Sequence, residues 1–88
     1  MHEIHAFVNI FVESALIDEV VQALSEIDAV EEVYEVTGEF DIVSIVCASD
    51  IEELSEVIKN KIMKIKGIKS TITSIALSVQ KRPICTPQ

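Results

Sequence analysis

Val33-Tyr-Glu-Val-Thr-Gly-Glu-Phe-Asp-Ile-Val-Ser-Ile-Val46 is the stretch whose reading decides the fold. Two β-rich runs, Val33–Val36 and Ile42–Cys47, flank the connection Thr37-Gly38-Glu39-Phe40-Asp41. Runs of β-branched and aromatic residues joined by a short glycine-containing segment predict a hairpin. Gly38 is one of two glycines in the chain. It is expected to supply a positive φ that other residues reach only at a cost. Upstream of the hairpin the pattern reads strand then helix, and downstream it reads helix then strand.

Working upstream, residues 4–12 alternate Ile4, Ala6, Val8, Ile10 and Val12 on one face with His5, Phe7, Asn9 and Phe11 on the other. Both faces are substantially apolar, so both need cover. Ser14 is placed as the N-cap of a first helix, with Asp18 and Glu19 near its positive end. Leu16, Ile17, Val20, Val21, Leu24 and Ile27 recur at helical spacing and form its apolar stripe. Asp28-Ala29 turns the chain into a strand over 30–36, whose Glu31, Glu32 and Glu35 place it at a sheet edge.

Working downstream, Ile42–Cys47 is apolar on both faces and reads as a central strand. Ser49-Asp-Ile-Glu52 fits a capping box opening a second helix that runs to Lys66. Ile51, Leu54, Val57, Ile58, Ile62 and Ile65 are expected to point inward, and Gly67 to end the helix as its C′ residue. A last strand follows over 68–80, with Thr71, Thr73, Ile75, Leu77 and Val79 on one face and Ile72, Ser74, Ala76 and Ser78 on the other. The order βαββαβ with right-handed crossovers gives a ferredoxin-like α+β sandwich, an antiparallel sheet of strand order 4-1-3-2 with both helices on one face. Residues 1–80 make this domain, and 81–88, with two prolines and no periodicity, make a C-terminal tail. The helices cover one face of the sheet, so a second subunit's sheet is the economical cover for the other.

Bulk properties agree. Eighty-eight residues make one small domain, yet 49% are hydrophobic, which is rich for a chain with little interior. All fifteen Asp and Glu lie between Glu3 and Glu56, all seven Lys and Arg between Lys59 and Arg82, and the net charge is −8. Such acidity argues against binding nucleic acid. The acids of the second helix (Asp50, Glu52, Glu53, Glu56) precede its lysines (Lys59, Lys61, Lys64, Lys66), which suits the helix dipole. Met1-His-Glu-Ile shows no secretory pattern, and no apolar run approaches the ~20 residues of a membrane span. A cytoplasmic protein is expected. Cys47 and Cys85 have no CxxC spacing, and Cys47 reads as a small core residue.

Val36-Thr-Gly-Glu-Phe-Asp-Ile-Val43, followed by Gly67-Ile-Lys-Ser-Thr-Ile-Thr73, resembles the effector-binding domain of the Lrp/AsnC family, often called the RAM domain. The resemblance covers roughly residues 4–80. Phe40 stands where tyrosine is also common in that family. Full-length members carry a helix-turn-helix ahead of the first strand, so the chain looks like the stand-alone form. The resemblance implies a homodimer through sheet-to-sheet contact, an assembly of the dimeric α/β-barrel type. It further implies association of dimers into rings, commonly octamers of four dimers, and an amino-acid effector held where dimers meet. Carried over by position, the ligand-binding residues are Gly38, Glu39, Phe40 and Asp41 of the hairpin and Thr71, Thr73 and Ser74 of the last strand. Full-length Lrp/AsnC regulators are the implied partners, and no cofactor, metal, membrane or direct nucleic-acid contact is expected.

The chemistry suits an α-amino acid, whose carboxylate needs donors and whose ammonium needs acceptors. Backbone at Gly38 allows close approach, Thr71 and Thr73 offer hydroxyls, and Asp41 and Glu39 offer negative charge. Each residue also has a plainer reading: Gly38 as a turn glycine, Asp41 as a partner of the turn backbone, Thr71 and Thr73 as ordinary strand formers. His2 and His5 fall on opposite faces of an extended run, a poor shared metal site. A small cofactorless monooxygenase or isomerase shares the topology and would use His5 and Asn9 between sheet and helices. A purely structural oligomerisation partner is the third possibility. An ACT-type domain is disfavoured because its first-loop glycines are absent from Phe11–Leu16.

Overall fold

The computed structural model describes residues 3–78; His2, Cys85 and the 81–88 tail lie outside the described residues. Strand β1 (Ile4–Val12) leads through a 3-10 turn, Ser14–Leu16, into helix α1 (Ile17–Ser25). Strands β2 (Val30–Glu35) and β3 (Ile42–Ala48) form the hairpin. Helix α2 (Ile51–Val57) continues into a π-helical turn, Ile58–Ile62, before strand β4 (Ile68–Ile75). The sheet is antiparallel with order β2-β3-β1-β4, the expected 4-1-3-2 counted from the other edge.

Register fixes which residues share a face. Across one row Ile42, Ile10 and Thr71 are opposite one another; across another, Ser44, Val8 and Thr73. These rows face the helices, and there Ala6, Val8, Ile10, Val12, Ile42, Val46 and Ala48 are buried against Val20, Leu24, Leu54, Val57 and Ile62. The stripe read for α1 is the face that packs: Val20 and Leu24 are buried, while Leu16, Ile17, Val21 and Ile27 flank them. Truncating Leu24 would leave a cavity costing about 2–5 kcal/mol. Ser44 is the buried polar side chain of this layer, and its hydroxyl donates to the Val8 carbonyl oxygen at 3.4 Å.

Several local expectations are corrected. Ser14 does not cap α1; it starts the 3-10 turn, whose preceding residue Glu13 makes no side-chain cap. The cap of α2 is displaced by one residue. Asp50, not Ser49, is the N-cap and accepts from the Glu53 N–H at 2.8 Å, while the Glu53 carboxylate accepts from both the N–H and the hydroxyl of Ser49. Those two donors hold the Glu53 carboxyl below its ordinary value. With the helix starting one residue later, Ile51 points outward and is exposed. Helical structure ends at Ile62 rather than Lys66, because Met63 N–H donates to the Ile58 carbonyl five residues back and closes the last turn wide. β2 stops at Glu35 and β4 at Ile75, beyond which the Ala76 N–H still donates to the His5 carbonyl at 2.8 Å; Val79 and Gln80 lie outside the described residues.

Both glycines have positive φ, +108° at Gly38 and +107° at Gly67. Gly67 carries a second constraint. It sits in the connection after α2, where its carbonyl accepts from the Glu13 N–H at 2.9 Å. A Cβ there would lie 2.9 Å from Leu16 Cβ, whereas nothing comes within 4 Å of a Cβ at Gly38. Gly38→Ala is therefore expected to cost about 1–2 kcal/mol from backbone conformation alone. Gly67→Ala should lose about 1–3 kcal/mol more through overpacking against Leu16. Urea unfolding of the two variants checks this, and equal losses would contradict the close approach.

Candidate functional site

The hairpin connection is anchored at its base and free at its tip. The Asp41 carboxylate accepts from the Val12 N–H at 2.8 Å, its own N–H donates to the Ile10 carbonyl, and its carbonyl accepts from the Val36 N–H. Asp41 thus binds the end of β1, a strand 29 residues away in sequence, as well as its own turn. Phe40 turns to the sheet face away from the helices and packs on Phe11, ring centroids 4.9 Å apart and tilted by 47°. Thr37, Gly38 and Glu39 are exposed at the tip. A glycine with open space around it leaves its backbone groups reachable by a ligand.

The strand residues expected to complete the site do not share one face. Thr71 and Thr73 lie on the helix side, and the Thr71 hydroxyl lies 3.6 Å from Met63 Sδ. Ser74 lies opposite Phe7 on the other face. β1 runs between the hairpin base and β4, which sets Asp41 and Thr71 two strand spacings apart, roughly 10 Å. Within one chain, then, Gly38, Glu39, Phe40 and Asp41 form one cluster and Thr71 and Thr73 another, with Ser74 behind the sheet.

The face away from the helices is an apolar surface that the described residues leave open. Phe7 is 43% exposed, Tyr34 51% and Ile72 52%, and Val43, Ile45 and Phe11 fill the rows between them. Apolar exposure of this kind, set contiguously on a flat sheet, marks an interaction surface. Tyr34 donates to the Glu32 carboxylate two residues away, and that partner holds the phenol above its ordinary value. Asn9 Nδ2 donates to the Ile72 carbonyl at 3.2 Å, tying β1 to β4. His5 and Asn9 therefore lie on the face turned away from the helices, not in the space between sheet and helices that an enzyme of this topology would use.

One cluster escaped the sequence. Cys47 is not a core residue: it stands directly opposite His5 on the open face and is half-buried. Its Sγ lies 3.2 Å from Glu3 Oε1 and 3.7 Å from His5 Nδ1. Burial pushes the thiol up, and the hydrogen bond to Glu3 with the nearby charge of Glu31 brings it to about 12. Strand alternation would have put Cys47 on the outer face, had register rather than residue type been followed.

A four-stranded antiparallel sheet under two helices, with an apolar outer face and a glycine hairpin anchored to the central strand, defines a ferredoxin-like α+β module. The chain belongs to the Lrp/AsnC ligand binding domain family, which matches residues 5–84. It is similar to an HTH-type transcriptional regulator of Pyrococcus horikoshii, 42% identical over 80 residues. That match takes in 91% of this chain and 51% of the regulator, so the chain spans about half the length of the curated relatives it matches first. The structure of Escherichia coli AsnC superposes with a TM-score of 0.89 at 32% identity, covering 96% of this chain and 57% of that one. A homocitrate synthase of Sulfurisphaera tokodaii is 45% identical over 58 residues, 66% of this chain but 12% of the enzyme. Regulators from Neisseria meningitidis and Mycobacterium tuberculosis, both solved with L-methionine, share the fold at 16% and 24% identity with TM-scores of 0.87 and 0.81. No helix among the described residues is long and apolar enough to cross a membrane.

The Asp41 carboxylate has a structural duty that any ligand role must coexist with. Asp41→Ala is expected to destabilise the chain by about 1–3 kcal/mol, by leaving the Val12 N–H without its acceptor. Asp41→Asn keeps an oxygen in place and should retain most of the stability. Denaturant titration separates the two, and an Ala variant as stable as the parent would remove the anchor from this account.

Proposed function

We propose that the chain is a regulatory module that senses an amino acid. Membership of the Lrp/AsnC ligand binding domain family carries this reading, and the exposed, anchored hairpin supports it. Two copies stack their open sheet faces, with Phe7, Ile45 and Ile72 at the centre of the contact. Dimers then associate, to an octamer of four dimers, and the effector sits where they meet. Gly38 and Glu39 from one hairpin offer backbone groups and a carboxylate for the ammonium, while Thr71 and Thr73 offer hydroxyls; Ser74, on the opposite face beside Phe7, is left out of the site. The separation of the two residue clusters within one chain favours a site completed by a neighbour. Binding at such a junction stabilises one assembly over others, which is how a small ligand becomes a signal. No bond is made or broken in this scheme.

The regulators solved with L-methionine make that amino acid the first to test, although their low identity carries the fold and not the ligand. Two listeners fit: a full-length Lrp/AsnC-type regulator in the cytoplasm, mixing through the same sheet face, or an enzyme. The similarity to a short part of homocitrate synthase favours keeping the second in view.

A thermal-shift screen of the twenty amino acids tests the reading. One or a few should raise the melting temperature with concentration, since a ligand at ~100 times its Kd adds about 2.7 kcal/mol. Thr73→Ala and Glu39→Gln, which leave the Asp41 anchor intact, should lose that shift. The absence of any shift at millimolar concentrations would sink the sensor. Sedimentation of a Phe7→Glu, Ile45→Lys variant addresses the assembly: it should run as a monomer with an unchanged circular dichroism spectrum. If it sediments like the parent, the sheet face is not the dimer contact.

A further inference from the structure

At the end of the sheet remote from the hairpin, two strands and the segment before them bring unlike donors together. His5 and Cys47 are direct cross-strand partners, and Glu3 precedes β1. Imidazole nitrogen, thiol sulfur and carboxylate oxygen all lie within 4.8 Å of one another. Cys47 Sγ lies 3.2 Å from Glu3 Oε1 and 3.7 Å from His5 Nδ1. Ligands on a tetrahedral zinc ion, at ordinary bond lengths, sit about 3.4–3.6 Å apart. The two separations from the sulfur bracket that spacing.

Glu31 stands on the neighbouring strand, next to Cys47's side of the sheet. The register of β2 on β3 shifts between Val30 and Glu32, so Glu31 is the extra residue of a bulge, and bulges re-aim side chains. Its negative charge acts on the Cys47 thiol, and the Cys47 N–H donates to the Ala29 carbonyl, tying this part of β3 to the start of β2. We propose that Glu3, His5 and Cys47, with Glu31 as fourth donor, form a binding site for a thiophilic divalent cation of the zinc class.

The donor set selects the ion. Calcium and magnesium favour shells of oxygen, whereas sulfur and nitrogen together suit zinc and its neighbours. Without an ion, two carboxylates beside the sulfur favour a protonated thiol. On binding, the S–H proton leaves to solvent, the sulfur–metal bond forms, and the cation neutralises the carboxylates. Nothing is oxidised or reduced. This site lies apart from the hairpin and does not depend on any amino-acid ligand.

Cobalt(II), which reports thiolate ligation in its near-ultraviolet spectrum, is the probe. The whole chain carrying Cys85→Ser, reduced, is titrated with cobalt(II) and then with zinc(II). A thiolate-to-cobalt charge-transfer band saturating at one ion per chain, and displaced by zinc, is the expected result. Adding Cys47→Ser should abolish the band, and His5→Gln or Glu31→Gln should weaken binding about tenfold or more. Circular dichroism confirms that each variant is folded. The proposal is overturned if Cys85→Ser shows no charge-transfer band, or if His5→Gln binds as tightly as its parent. Cobalt uptake without that band, an adventitious association with surface carboxylates, overturns it equally.

Discussion

β1 is hydrogen-bonded along both edges and apolar on both faces, and the rest of the domain follows from meeting those demands. Pairing with β3 and β4 satisfies its backbone donors and acceptors, which burial would otherwise make costly. One face is answered from within the chain by α1 and α2. The other, carrying Phe7 and Phe11, is answered in part by Phe40 and otherwise lies open. Sheet and helices make two layers, and among the described residues the chain supplies no third layer for that outer face.

Two contacts fix the corners of this frame. Asp41 clamps the hairpin to the last residues of β1, and Gly67 lets the connection before β4 lie against Leu16 while accepting from Glu13. Both join segments far apart in sequence to the same end of β1. The glycine does so by having no side chain, the aspartate by having a short charged one.

Much of this was legible before any coordinates. Alternation along 4–12 and 42–47 announced central strands, the glutamates of 30–36 announced an edge, and strand order followed from handedness. Local chemistry was less legible. Asp50 and Ser49 are both good caps, and only the helix start decides between them, which moved Ile51 to the surface. Cys47 was misplaced because a cysteine's average preference is the core, while its register set it opposite His5. The partner of Asp41 could not be read from the turn at all, since it is the Val12 N–H. The split of Thr71 and Thr73 from Ser74 follows from simple alternation along β4, yet their grouping came from the family pattern rather than from geometry.

The division of the hairpin between an anchored base and an unencumbered tip has a consequence for how such a module diversifies. Because nothing surrounds Gly38 and both ends of the connection are held by β1 and β3, substitutions at Thr37 and Glu39 alter surface chemistry with little effect on folding. The residues that hold the hairpin in place and those that show at its tip are then different ones. A lineage can retune what the tip meets, as immune receptors vary loops on a constant framework, while the sheet beneath stays under unrelated constraints.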